Sequence, residues 1–186
     1  MIKIKHVSIF LVFGLIISMS FSVATPVKSL SFTGGFYSVQ NLRYSCSSMC
    51  TYWVHGANAW NNISTKVHSS RHYGVDSDGH ARLYGTTTTV SGLLGQVFPY
   101  TQYGVGVDPI YDGTGTGRWV FAIGVLYTNN LTSDQMRRAV AVHEFGHILS
   151  QKHNSYTNSV MYPSYGTNRL LPSNYDKGSL ITRWGN

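Results

Sequence analysis

His143-Glu144-Phe145-Gly146-His147-Ile148-Leu149-Ser150-Gln151-Lys152-His153 is the stretch that decides how this chain folds. Reading backwards from it, Met136, Val140, His143 and His147 recur at spacings of four, three and four, so they share one face of a helix. Thr132-Ser133-Asp134-Gln135 carries the capping-box pattern, with Gln three residues after Thr, and predicts where that helix starts. Asp134 then falls in the first turn, where the helix dipole favours an acid. Two histidines one turn apart point the same way, and their imidazoles can reach a single metal ion at about 2.0–2.1 Å. Glu144, beside the first of them, can reach a water on that metal and act as a general base. His153 cannot join the pair if the helix runs straight on. It joins if the chain turns sharply near Ser150. Three neutral imidazoles leave a tetrahedral zinc with one open position, the catalytic form of such a site. The bland alternative is a helix with satisfied core histidines. Three histidines at these offsets, with the chain's only glutamate between two of them, argue against it.

This stretch resembles the extended zinc-binding signature of the metzincin metallopeptidases. Ser159-Val160-Met161-Tyr162-Pro163, followed by Tyr165, resembles the Met-turn of that group and is most similar to its matrixin branch. Leu42-Arg43-Tyr44 and the segment from Trp53 to Trp60 resemble the first strand and helix of matrixin catalytic domains. Gly95-Gln96-Val97-Phe98-Pro99 resembles their edge strand. The likeness extends over residues 37–170.

The resemblance implies an α+β domain of the metzincin-like zincin type. Its parts would be a mixed, twisted sheet with an antiparallel edge strand, two long helices and an irregular part after His153. It implies peptide-bond hydrolysis, with His143, His147 and His153 holding one zinc ion and Glu144 as general base. Met161 would lie as an apolar base beneath the histidines. Pro163 and Tyr165 would wall the specificity pocket, and an extended protein or peptide substrate would pair with the edge strand near residues 92–98. Some relatives place a zinc-assisting Tyr two residues after the Met. Here Tyr162 follows Met161 directly and receives no such role. The family signature has Gly where this chain has Ser150. A left-handed turn there costs a non-Gly residue roughly 1–2 kcal/mol, against about 10 kcal/mol or more from bound zinc. Matrixins also carry a propeptide whose cysteine caps the zinc. No such motif precedes the fold here, so no cysteine-switch latency is expected.

Outward from the motifs, residues 37–45 alternate enough for a strand. Residues 50–63 change to helical period, with Trp53, Ala57 and Trp60 on one face and Asn61-Asn62 as the stop. Residues 66–73, 80–88 and 92–98 are further strand candidates, the last ended by Pro99. Residues 119–127 are so apolar that burial on both faces is expected.

The leading segment reads as a signal peptide. Lys3 and Lys5 precede an apolar run over residues 7–21 and the small-residue exit Ser22-Val23-Ala24. The expected organisation is a signal peptide over residues 1–24 and a single catalytic domain over residues 25–186, secreted to the extracellular space and monomeric. An uncleaved anchor is the alternative, with a run marginal for the roughly 20 residues a bilayer needs. Export makes a Cys46–Cys50 disulfide plausible if the segment forms one helical turn. Two free thiols are the alternative.

Composition narrows the classes. Charged residues make up 11% of the 186, against about 25% in an average domain. With 42% apolar and 13% aromatic residues, the chain is neither disordered nor a coiled coil. Fourteen basic residues face seven acids, six of them aspartates, and the only adjacent basic pair is Arg137-Arg138. Without a concentrated basic patch, nucleic acid is not an expected partner.

Weaker candidates remain. His68, His72, Asp76, Asp78 and His80 cluster in sequence where matrixins hold a structural zinc, but their spacing fits surface strand and turn residues better. Asp108 and Asp112 could hold Ca2+, although turn-forming aspartates are the simpler account. Two other functions are carried: a catalytically silent, zinc-stabilised surface-binding module, and a zinc hydrolase of cell-wall peptides. An intact Glu144 argues against the first, because binding alone needs no base.

Overall fold

The fold is described from a computed structural model, covering residues 31–32, 34–73, 79–101, 117–164 and 169–186. The segment read as a signal peptide, Asp76, Asp78, Asp108, Asp112 and Tyr165 lie outside the described residues. The elements in chain order are β1 (Val39–Cys46), α1 (Cys50–Trp60), β2 (Val67–Arg71), β3 (Ala81–Thr86), β4 (Gly95–Thr101), β5 (Trp119–Tyr127), α2 (Asp134–Ile148) and α3 (Asn174–Trp184).

The five strands form one sheet in the order β2-β1-β3-β5-β4. Every neighbour is parallel except β4, which runs antiparallel to β5 at one edge. The expected α+β architecture, a mixed sheet with an antiparallel edge, is the observed one. Helices α1 and α2 pack against each other and against the sheet. Trp53 and Trp60 of α1 are fully buried between them, and the Trp60 indole donates to Val142 O of α2 at 2.8 Å. Indoles of this size supply most of the apolar area that fixes the helix pair.

Four local expectations are corrected. Pro99 lies inside β4 rather than ending it, paired with Ala122. An edge strand tolerates proline because its missing N–H is not needed by a second neighbour. Strand β5 is buried on both faces only in part. Ala122, Gly124 and Leu126 are buried on one face and Trp119 and Val125 on the other, but Phe121, Ile123 and Tyr127 of that second face are only half-buried and Val120 is exposed. Around Phe121 the cover is the Arg82 guanidinium and the Tyr100 ring, which shield less completely than a packed core. Helix α2 starts one residue later than the Thr132–Gln135 pattern implied. Ser133 is its cap and accepts from Met136 N at 3.1 Å, which leaves Gln135 out of the reciprocal position. Finally, Cys46 and Cys50 are bridged, but across a strand-to-helix junction rather than within one helical turn. Cys46 ends β1 and Cys50 opens α1, with their Cα atoms 5.6 Å apart.

The part after His153, expected to be irregular, closes with the eleven-residue helix α3. Here the true capping box forms. Ser173 Oγ accepts from Asp176 N, while the Asp176 carboxylate accepts from Ser173 N at 2.9 Å. The same buried carboxylate accepts from Val160 N at 3.0 Å and from the Ser159 hydroxyl. One side chain therefore caps α3 and ties it to the 159–161 turn. At the other end of α3, the Trp184 indole donates to Leu149 O at 3.0 Å, just past α2.

Among the histidines considered for a second metal, His68 is exposed and His80 has a structural task. His80 Nδ1 accepts from Arg43 N at 3.0 Å, and its ring stands edge-on to Phe36. Burial, and then the Arg43 charge, lower its pKa from 6.5.

Two predictions follow from these contacts. Asp176→Ala strands the N–H groups of Val160 and Ser173, and should lower unfolding free energy by about 3 kcal/mol in urea denaturation. A loss under about 1 kcal/mol would refute the tie. For His80, the unfolded chain takes up its proton near 6.5 and the folded chain only at lower pH. The stability it contributes is therefore present above pH 6.5 and declines as pH falls below it. The melting-temperature gap between wild type and His80→Asn should narrow on going from pH 7.5 to pH 5.5. A constant gap would contradict this.

Candidate metal centre

The face of α2 read from the sequence is the one that meets the cavity. Met136, Val140, His143 and His147 all line a single open cavity of about 670 Å³. After Ile148 the helix stops in a Schellman arrangement. Gln151 N donates to Gly146 O and Ser150 N to His147 O, both at 2.9 Å. Ser150 adopts the left-handed conformation with φ 63°. The cost of roughly 1–2 kcal/mol is tolerated because the reversal is held from two sides. Phe32 N donates to Ser150 O at 2.8 Å, and α3 grips Leu149.

The reversal brings His153 back against the helix. The three Nε2 atoms form a triangle with edges of 3.0 Å (His143–His153), 3.1 Å (His143–His147) and 3.1 Å (His147–His153). His143 Nδ1 lies 2.7 Å from Val160 O, and His147 Nδ1 lies 2.8 Å from Gln151 O. A carbonyl can only accept, so each Nδ1 carries the proton and each Nε2 presents a lone pair. Lone pairs facing one another at 3.1 Å have no proton between them, and a cation is what satisfies them. Three nitrogens bound to one tetrahedral zinc stand about 3.3 Å apart, so this donor set fits zinc. The carbonyls of Val160 and Gln151 are the outer contacts that orient such ligands. Among the described residues this is the one cluster of three or more His, Cys, Asp or Glu side chains able to hold a metal.

Burial keeps the rings neutral. It pulls His143 down to about 4, helped by His153, and pulls His147 well below 6.5 and His153 down as well. Neutral imidazole is the form that binds metal.

Glu144 points into the same cavity. It is 4% exposed, and its Oε2 is buried without a hydrogen-bond partner. Burial raises the carboxyl to about 8 in the metal-free protein, and a divalent cation among the histidines acts in the opposite direction. A buried carboxyl that caps nothing and pairs with nothing has no structural account. Two glycines make room for it and for the layer below. A Cβ on Gly95, where β4 begins, would sit 2.7 Å from Glu144 Oε1. A Cβ on Gly146 would collide with Met161 Sδ and approach Trp60 Cζ2 to 2.8 Å. Met161, 1% exposed, therefore packs against Gly146, on the turn between His143 and His147.

Other expected site residues fall into place unevenly. Pro163 lines the cavity together with Tyr162, Ser164 and Val160. Gly92, Leu93, Leu94, Gly95 and Gln96 form the opposite rim, where the edge strand was expected to receive substrate. Tyr165 lies outside the described residues. Cys46 and Cys50 are not among the cavity residues, so their bridge is structural. Arg169 does line the cavity and had not been singled out. It belongs to no motif, and only the return of the chain toward His143 places it there.

No curated protein matches the chain. The matrixin family model matches residues 54–178, well over half of the chain, and that span includes the larger part of α1, the three histidines, Met161 and the first part of α3. On that match, and on a three-histidine cluster of zinc-binding geometry, the chain belongs to the matrixin family of zinc metallopeptidases.

Proposed function

We propose that this protein is a secreted zinc endopeptidase in which His143, His147 and His153 hold the metal and Glu144 is the general base. The observation that carries the proposal is the pairing of a buried Glu144 carboxyl, its Oε2 without a partner, with three converging Nε2 atoms in one open cavity. Zinc held there supplies Lewis-acid polarisation of the scissile carbonyl and acidifies the attacking water.

The chain's own residues do the rest. Glu144 accepts a proton from the attacking water at its carboxylate and passes it to the leaving amine. Its burial favours that exchange, because the surrounding apolar walls do not stabilise the charged form. Val160 O and Gln151 O hold His143 and His147 as the tautomers that leave Nε2 free. A substrate in extended form adds a strand to the outer edge of β4, so that its backbone runs along the rim formed by residues 92–96. Met161 packs under the ligands and touches no substrate. Among the described residues no helix is long and apolar enough to cross a membrane. The basic, apolar and small-residue order of residues 1–24 supports export.

Two outcomes test this reading. Glu144→Gln should bind zinc as wild type does and hydrolyse a chelator-sensitive casein substrate at least about 100-fold more slowly. Activity within a few-fold of wild type would remove Glu144 as the base. His153→Ala should leave two ligands and lose most of its zinc on dialysis, measured by atomic absorption. Wild-type metal content in that variant would exclude His153 from the site.

A further inference from the structure

Arg169 is the one cation other than histidine among the described residues that line the cavity. The other lining residues include apolar side chains such as Leu93, Leu94, Ala139 and Val140. Its guanidinium lies over the Tyr162 ring, with Cζ 5.1 Å from the centroid. That aromatic face holds the group in place. Arg169 has no hydrogen bond or ion pair to any described residue, and its Nε is buried without a partner. Asp176, whose charge is felt by Arg169, makes its hydrogen bonds to Ser159, Val160 and Ser173 instead. A half-buried guanidinium whose Nε lacks a partner is costly unless something arrives to accept from it. Its planar fork matches a carboxylate with two parallel N–H···O bonds.

Building on the peptidase reading above, we propose that Arg169 is a specificity-determining residue that selects peptides placing a carboxylate in this cavity beside the cut. The carboxylate could belong to a glutamate side chain flanking the scissile bond or to the free C-terminus of a short peptide. The first source calls for internal cleavage and the second for trimming from the end. Apolar side chains still fit the walls, but they leave the guanidinium unpaired, and that difference is what discriminates between substrates.

The test uses zinc-loaded full-length protein and one neutral peptide scaffold. The scaffold carries Glu, Gln or Leu at each position flanking the cut, with the C-terminus either free or amidated. The ratio of kcat/KM for Glu over Gln at one flanking position should be about tenfold or more, the value of one charged hydrogen-bonded pair. If the C-terminus is the source, the same ratio should appear instead between free and amidated peptides. In Arg169→Met either ratio should fall to about one. Arg169→Lys should keep part of it, because charge survives while the fork is lost. Zinc content checks that each variant is folded. Ratios near one in wild type, or an undiminished ratio in Arg169→Met, overturn the assignment. Cleavage of the neutral peptides that is abolished in Glu144→Gln upholds the peptidase reading independently of that result. No cleavage of any peptide by wild type overturns both.

Discussion

Everything at the centre of this protein depends on one reversal of the backbone. Helix α2 has to stop at Ile148 and double back within a few residues, or His153 would lie far from His143 and His147. A straight helix would place a residue six positions on at a different angle and about 9 Å further along. The left-handed Ser150 makes the reversal, and the Schellman hydrogen bonds satisfy the carbonyls that the helix end leaves open. Ser150 pays a steric penalty that glycine would avoid. The penalty is small beside what the reversal assembles, and the N-terminal segment and α3 clamp it from either side.

From that reversal the remaining parts follow as supports. The 159–161 turn presents the Val160 carbonyl to His143 and lays Met161 under Gly146. The turn is itself held by Asp176, which also caps α3. A helix that touches no histidine thus helps orient one through a single carboxylate and a single carbonyl. This is why a buried charged group is kept here. It satisfies four donors in a small volume, and an apolar replacement would leave them stranded.

Much of the site was legible in the sequence because its logic is local. Histidines four apart on a helix must share a face, and the glutamate between them is adjacent by covalent connection. The mixed sheet with its antiparallel edge was reached through family likeness alone. Where the reading erred, short-range pattern competed with packing. Thr132 and Gln135 match a capping box, yet the chain enters α2 one residue later at Ser133. Pro99 looks like a strand stop, yet an outermost strand accepts it. The apolar run of β5 looks buried on both faces, yet Phe121 on one of them meets a stacked Arg82 guanidinium and Tyr100 and is only half-buried, although Trp119 and Val125 of the same face are fully buried. The 174–184 helix was overlooked because its apolar stripe, with Leu180 as its buried member, is thin.

The sequence by itself determined which histidines could share a metal and which carboxylate stands beside them, and likeness to a family pointed to the Met161 sulfur below. The first two are matters of residue type and spacing along one helix and the turn that follows it. Only the tertiary structure decided the tautomers of His143 and His147, the lack of a hydrogen-bond partner for Glu144 Oε2 and the presence of Arg169 in the cavity wall. Each of these depends on carbonyls, glycines and rings brought from distant parts of the chain. Contacts between such parts are fixed by how the layers pack, and no periodicity along a single element records them.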